Sequence, residues 1–104
     1  MYIVTNRVAV AENWGDEFET RFRKRAGQID KQPGFIRMEI WKPAAEGLPY
    51  VVCTHWQDEA AFRQWVGSED FKIAHANPMP KEAFLPEGGG LEQYTVVIST
   101  DREE

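Results

Sequence analysis

The sequence predicts an α+β domain with elements in the order β-α-β-β-α-β, its four strands forming one antiparallel sheet with helices on a single face. Three observations lead there. Apolar residues alternate with period two in four separate runs, and they recur at steps of three and four in the stretches between. The breaks between runs fall on Pro and Gly. The chain's 104 residues are one domain's length, so residues 1–100 are assigned to a single domain and 101–104 to an acidic tail.

Each element follows from its own stretch of sequence. Residues 2–10 (YIVTNRVAV) alternate, with Tyr2, Val4, Asn6, Val8 and Val10 on one side and Ile3, Thr5, Arg7 and Ala9 on the other. Residues 14–29 read as a helix, because Trp14, Phe18, Phe22, Ala26 and Ile29 recur on one face behind Asn13 as the N-cap. Gln32-Pro33-Gly34 then breaks the chain. Residues 35–42 form the second strand, 43–49 a hairpin-length connection, and 50–56 (YVVCTHW) a third strand that is apolar on both faces. Asp58 caps a helix in which Ala61, Phe62, Trp65 and Val66 share a face. Gly67-Ser68 interrupts it, and Ser68 caps a further short helix with Phe71, Ala74 and His75 on one side. Residues 76–90, with three prolines and a triple glycine, have the character of an irregular lid. Residues 91–100 complete the sheet, and the tail beyond them is expected to fray.

This is the ferredoxin-like order. A sheet covered by helices on one side should be polar on the other, yet strands one, three and four carry apolar residues on both faces. The helix-free face is therefore expected to pack on a second copy of the chain, making a homodimer.

Bulk properties exclude several function classes. A net charge of -5 argues against nucleic-acid binding, which needs a basic field to displace counterions. No window reaches the apolar length of a membrane span, and the first residues lack a secretory pattern. One cysteine, Cys53, gives neither a disulfide framework nor a zinc cluster in sequence, and a cytoplasmic protein is the expectation. Gly88-Gly89-Gly90 precedes a strand rather than a helix, so it is read as linker rather than as a phosphate loop. Glu12, Asp16, Glu17 and Glu19 read as a solvated face. His55 and Cys53 read as structural residues of the third strand.

Four residues, Asn6, His75, Trp65 and Arg25, sit awkwardly in a plain core. Asn6 interrupts an apolar strand face, so its amide either bonds nearby backbone or offers a donor to a ligand over the sheet. His75 looks from a short helix toward the interior, either as a packing residue or as a ligand, and neutral imidazole is a common axial ligand of haem iron. Trp65 either fills core or forms a flat wall for a planar molecule. Phe22 and Phe71 lie on the same inward faces. Arg25 falls within the apolar sector of its helix, where it either snorkels to the rim or holds a carboxylate.

Taken together, these positions carry a family likeness. The segments TNR at 5–7, RFRKRAG at 21–27, QPGF at 32–35, THWQDEAAFRQW at 54–65 and DFKIAHA at 70–76 resemble the antibiotic-biosynthesis-monooxygenase (ABM) family, and within it the IsdG-type haem-degrading monooxygenases. The resemblance implies a dimeric α+β barrel that binds haem as both substrate and cofactor. It also implies cleavage of the porphyrin with O2 and electrons from an external reductase, and release of the iron. In those terms His75 is the iron ligand, Asn6 the donor on the oxygen-binding side, and Trp65 the residue that buckles the macrocycle, with Phe22, Arg25 and Phe71 around it. Two other readings use the same cavity. One is a cofactor-free monooxygenase of an aromatic or quinol substrate, the other a non-catalytic haem-binding protein.

Overall fold

The computed structural model describes residues 1–25 and 27–102, without the side chain of Arg25. The strands are β1 (Tyr2–Val8), β2 (Phe35–Trp41), β3 (Tyr50–Trp56) and β4 (Gly90–Thr95), and the helices are α1 (Gly15–Arg25), α2 (Glu59–Val66) and α3 (Glu69–Ala74). All four strands pair antiparallel in the order β2-β3-β1-β4. That is the arrangement the element order predicts. No helix among the described residues is long and apolar enough to cross a membrane.

The register decides what each face carries. Tyr2 pairs with Trp56, Val4 with Thr54, Asn6 with Val52 and Leu91, and Val8 with Tyr50. These residues share the helix-covered face. The opposite face carries Ile3, Thr5, Arg7, Val51, Cys53 and His55, joined from the edge strands by Arg37, Glu39, Trp41, Glu92 and Tyr94. It is more mixed than expected, since Arg7 pairs with Glu92 at 3.1 Å and Arg37 with Glu39 at 3.6 Å beside the apolar Ile3, Val51 and Trp41.

Two hydrophobic clusters form on the covered face instead of one. Val4, Ile29, Trp56, Ala61 and Trp65 make the first, beneath α2 and α3. Phe18, Tyr50, Met79 and Ala83 make the second, beneath α1. Trp56 is wholly buried in the first cluster, and its indole nitrogen donates to Thr54 Oγ1 at 2.9 Å. This supplies the partner that a buried indole N–H requires.

Several boundaries differ from the sequence reading. The helix expected over 14–29 is shorter: α1 is described over Gly15–Arg25, and Gly27 lies outside it at a φ of +114°. Ile29 belongs to a separate 3-10 turn, Ile29–Lys31, and packs in the other cluster from Phe18. Ala26, placed on the same face by its spacing, lies outside the described residues. Asn13 is not the N-cap: at φ +75° it sits in a turn closed by Trp14 N–H donating to Ala11 at 3.1 Å, a backbone state Asn tolerates well. Val66 is 43% exposed rather than core. Glu19, read as solvated, is half-buried against Tyr50. β1 ends at Val8, and Val10 makes only an isolated bridge to Phe84. β4 ends at Thr95 rather than residue 100, because its sole neighbour, β1, runs out at the N-terminus, where Val96 N–H donates to Met1 O at 3.0 Å.

Residues 76–90 are not a free lid. Their second half contains the 3-10 turn Lys81–Ala83 and is tied to the chain after β1 by Ala11 N–H to Ala83 O at 2.7 Å and Leu85 N–H to Ala9 O at 2.8 Å. Gly90 is the first residue of β4 rather than linker, and a Cβ there would lie 2.7 Å from the Arg7 guanidinium. In the tail, Asp101 and Arg102 are exposed and without regular structure.

Gly34 closes the turn into β2 at a φ of +80°, and a Cβ there would come within 2.5 Å of the Ala61 Cβ on α2. Left-handed backbone and overpacking act together at this one position. Gly34→Ala should destabilise the protein by roughly 2 kcal/mol or more, read from chemical denaturation.

Tyr50 links β3 to α1, its hydroxyl donating to Glu19 Oε2 at 2.5 Å. Burial, and then the bond to the Glu19 carboxylate, push the Tyr50 phenol up to about 12. The same bond holds the Glu19 carboxyl below its ordinary value. Glu19 therefore contributes stability above the usual carboxylate range and loses it as pH falls through its depressed value. Tyr50 contributes fully below the unfolded phenol value of about 10 and loses that contribution as pH rises further. The difference spectrum between wild type and Tyr50→Phe should place the Tyr50 tyrosinate signal near pH 12. Tyr50→Phe should cost about 1 kcal/mol at neutral pH.

Candidate active site

Because the two clusters do not merge, a cavity of about 340 Å³ remains over the middle of the sheet. Its volume lies in the range of small-molecule sites. β1 supplies its floor through Val4, Asn6 and Val8, and β3 adds Val52 and Thr54. α1 contributes Phe18, Arg21 and Phe22 on one side, while Trp65 from α2 and Phe71, Ala74 and His75 from α3 and its end form the other. Asn6, Phe22, Trp65, Phe71 and His75, all singled out from sequence, thus line one cavity. The side chain of Arg25 lies outside the described residues.

His75 stands one residue past α3 and is exposed at the cavity wall. Its Nδ1 lies 2.8 Å from the Phe71 carbonyl oxygen. A carbonyl only accepts, so Nδ1 carries a proton, and in the neutral imidazole the lone pair is on Nε2. The ring also stacks on Phe71, with centroids 4.1 Å apart and planes 29° from parallel. Phe71 in turn meets Trp65 edge-on at 5.3 Å.

Hydrogen bonds follow the same path. Ser68 Oγ donates to the Trp65 carbonyl at 2.7 Å and accepts from Phe71 N–H at 3.1 Å. One hydroxyl thus ends α2, starts α3 and fixes the spacing between Trp65 and His75. Asp58 does the corresponding work for α2, accepting from Ala61 N–H at 2.9 Å. Gln32 anchors α3 from outside by donating to Asp70 Oδ2 at 2.9 Å.

Asn6 lies in the cavity floor, exposed rather than buried, and its amide makes no hydrogen bond to any described residue. Its donors and acceptor are thus available to a ligand. Trp65, 5% exposed, is both core and wall.

The sequence reading missed Arg21 and Met79. Arg21 lines the cavity, pairs with Glu17 at 3.1 Å and donates from Nη1 to the Asn77 carbonyl at 2.9 Å. It thereby ties α1 to the segment following His75. Lying three residues after Phe18, it falls about 60° from that residue around the helix, so the angular test that selected Arg25 would also have found it. Met79, 8% exposed, closes one side from a segment with no periodicity to read. Ser68→Ala removes both bonds of the shared hydroxyl and should lower stability by about 1 kcal/mol in urea unfolding.

The donor set suits a planar, largely apolar ligand carrying a metal that accepts imidazole: one unprotonated ring nitrogen, one free amide and aromatic walls. Comparisons with known proteins agree with the fold. A heme oxygenase (staphylobilin-producing) of Staphylococcus haemolyticus is 37% identical over 79 residues, covering 74% of this chain and 75% of its own. A heme oxygenase (mycobilin-producing) of Mycobacterium tuberculosis is 34% identical over 93 residues, covering 89% of this chain and 86% of its own. The solved structure of the heme-degrader MhuD from Mycobacterium tuberculosis, with two hemes bound in its active site, superposes with a TM-score of 0.79 at 28% identity, over 97% of this chain and 100% of that one. The antibiotic biosynthesis monooxygenase family matches residues 1–77, and the chain belongs to it.

Proposed function

We propose that this protein is a haem-degrading monooxygenase that binds haem as substrate in the cavity between sheet and helices. The observation that carries the reading is the Nδ1 bond of His75 to the Phe71 carbonyl, which makes Nε2 the lone-pair nitrogen of the neutral ring at the wall of an aromatic cavity. The relatives' names supply the substrate and the reaction class.

Bound haem, given O2 and electrons from an external donor, supplies the oxidative chemistry at its own iron. His75 Nε2 would hold that iron, and the Phe71 carbonyl holds the imidazole in the required tautomer and orientation. Asn6 would offer its amide to bound oxygen from the cavity floor. Trp65, held by the Ser68 bridge, would lie against the porphyrin, with Phe22 and Phe71 excluding water around it. Arg25 would pair with a propionate carboxylate.

A homodimer completes the assembly in this reading. Val97 and Ile98 are 88% and 83% exposed, and Trp41 and Tyr94 are also bare on the helix-free face, which supports cover by a second copy. The lone buried thiol Cys53 suits a reducing cytoplasm, where the reaction would draw on an as yet unidentified reductase.

Haem titration of the purified protein, followed by reductant in air, tests the proposal. Wild type should give a Soret band that decays once electrons are supplied, with iron release. His75→Ala should weaken haem binding. Asn6→Ala should bind haem yet degrade it on the order of 100-fold more slowly, the usual loss for one preorganised donor. A Soret band that survives reductant and O2 would mark a haem-holding protein. No Soret band would leave a cofactor-free oxygenase of an aromatic substrate as the better account.

A further inference from the structure

The helix-free face of the sheet holds a cluster that the haem reaction does not use. Cys53 and His55 are two residues apart on β3, so their side chains leave the same face. Glu39 on β2 is the register partner of Cys53 and joins them. The sequence reading took Cys53 and His55 separately as structural. Only the pairing of β2 with β3 brings the carboxylate to them.

The distances are specific. Cys53 Sγ lies 3.5 Å from His55 Nε2, and His55 Nε2 lies 3.2 Å from Glu39 Oε1, with all three donor atoms within 4.8 Å of one another. A tetrahedral zinc ion with bonds of about 2.0 Å to nitrogen and oxygen and about 2.3 Å to sulfur sets N···S near 3.5 Å and N···O near 3.3 Å. Both separations are already present, and the third, from Cys53 Sγ to the Glu39 carboxylate, closes by rotation of the partly exposed Glu39 side chain.

His55 is 8% exposed, and its other ring nitrogen, Nδ1, is buried with no hydrogen-bond partner among the described residues. Its whole polar engagement is thus with a thiol and a carboxylate, the two other side-chain types that bind zinc. Glu39 is 42% exposed in the single chain, so a metal can enter before the second copy covers this face, while Arg37 at 3.6 Å and the Trp41 indole at 3.3 Å steady its oxygens.

We propose that Glu39, Cys53 and His55 form a zinc-class divalent metal site on the face of the sheet opposite the haem cavity. On binding, the Cys53 S–H bond gives way to a sulfur–metal bond, and the proton passes to solvent. A dication with one thiolate, one carboxylate and a neutral imidazole makes a locally neutral unit, which suits a site this dry. The fourth position opens at the Glu39 edge, toward the face that the second copy covers in the proposed dimer. The metal would clamp β2 to β3 across the register pair Glu39 and Cys53.

Cobalt titration of chelator-treated full-length protein tests the site, with Co2+ standing in for zinc. One equivalent per chain should bring up a thiolate-to-cobalt charge-transfer band with tetrahedral visible bands, and Zn2+ should displace both. Cys53→Ala should abolish the charge-transfer band. Glu39→Gln changes an exposed side chain and keeps the fold testable should Cys53→Ala misfold; it should weaken Zn2+ binding at least ~10-fold. His75→Ala should leave the cobalt signal unchanged. Absence of the band in wild type, its survival in Cys53→Ala, unaltered affinity in Glu39→Gln or loss of signal in His75→Ala would each overturn the proposal.

Discussion

A four-stranded sheet of this size and three short helices have enough apolar surface to close over one continuous core. Here they close over two. α1 packs with Tyr50 and Ala83, while α2 and α3 pack with Trp56 and Val4, and the middle of the sheet is left uncovered. The break after α1 enforces the division, because it delivers Ile29 to the far cluster rather than extending Phe18 and Phe22. Every feature of the cavity depends on that gap: its floor is sheet, its walls are the inner flanks of the two clusters, and its polar groups are the few that interrupt them.

Much of this was legible in the sequence, and the failures have physical reasons. Strand and helix order came through because period two and period 3.6 are local signals. The end of α1 did not, since Ala26 and Ile29 continue the apolar spacing straight through the break at Gly27. The end of β4 was hidden for a different reason. Residues 96–98 have strand composition, but pairing depends on where the neighbouring strand stops, which is non-local. Asn6 and Arg25 were readable as polar interruptions of apolar faces, but taken singly each candidate read as an ordinary structural residue, and only the family resemblance joined Asn6, Trp65 and His75. Glu39 was not readable, because a carboxylate on an edge strand looks solvated until the register sets it beside Cys53.

Ser68 shows how a small residue sets a larger geometry. Its hydroxyl bonds both the last turn of α2 and the first of α3, so Trp65 and His75 are positioned through one atom and the Phe71 ring between them. The sequence spacing of ten residues between Trp65 and His75 is the linear trace of this bridge.

α3 itself has no buried residue. The helix that carries the imidazole therefore rests on the protein through partly buried Phe71 and Ala74, one cap and the Gln32–Asp70 bond, whereas the floor beneath Asn6 is held by ladder bonds on both edges of β1. The two sides of the cavity differ in stiffness. A guest that is thick, bent or tilted is accommodated by displacement of the short helix, while the amide in the floor stays put. Such a mounting puts the imidazole of His75 on the more yielding wall of the cavity, with the point of reference kept in the sheet.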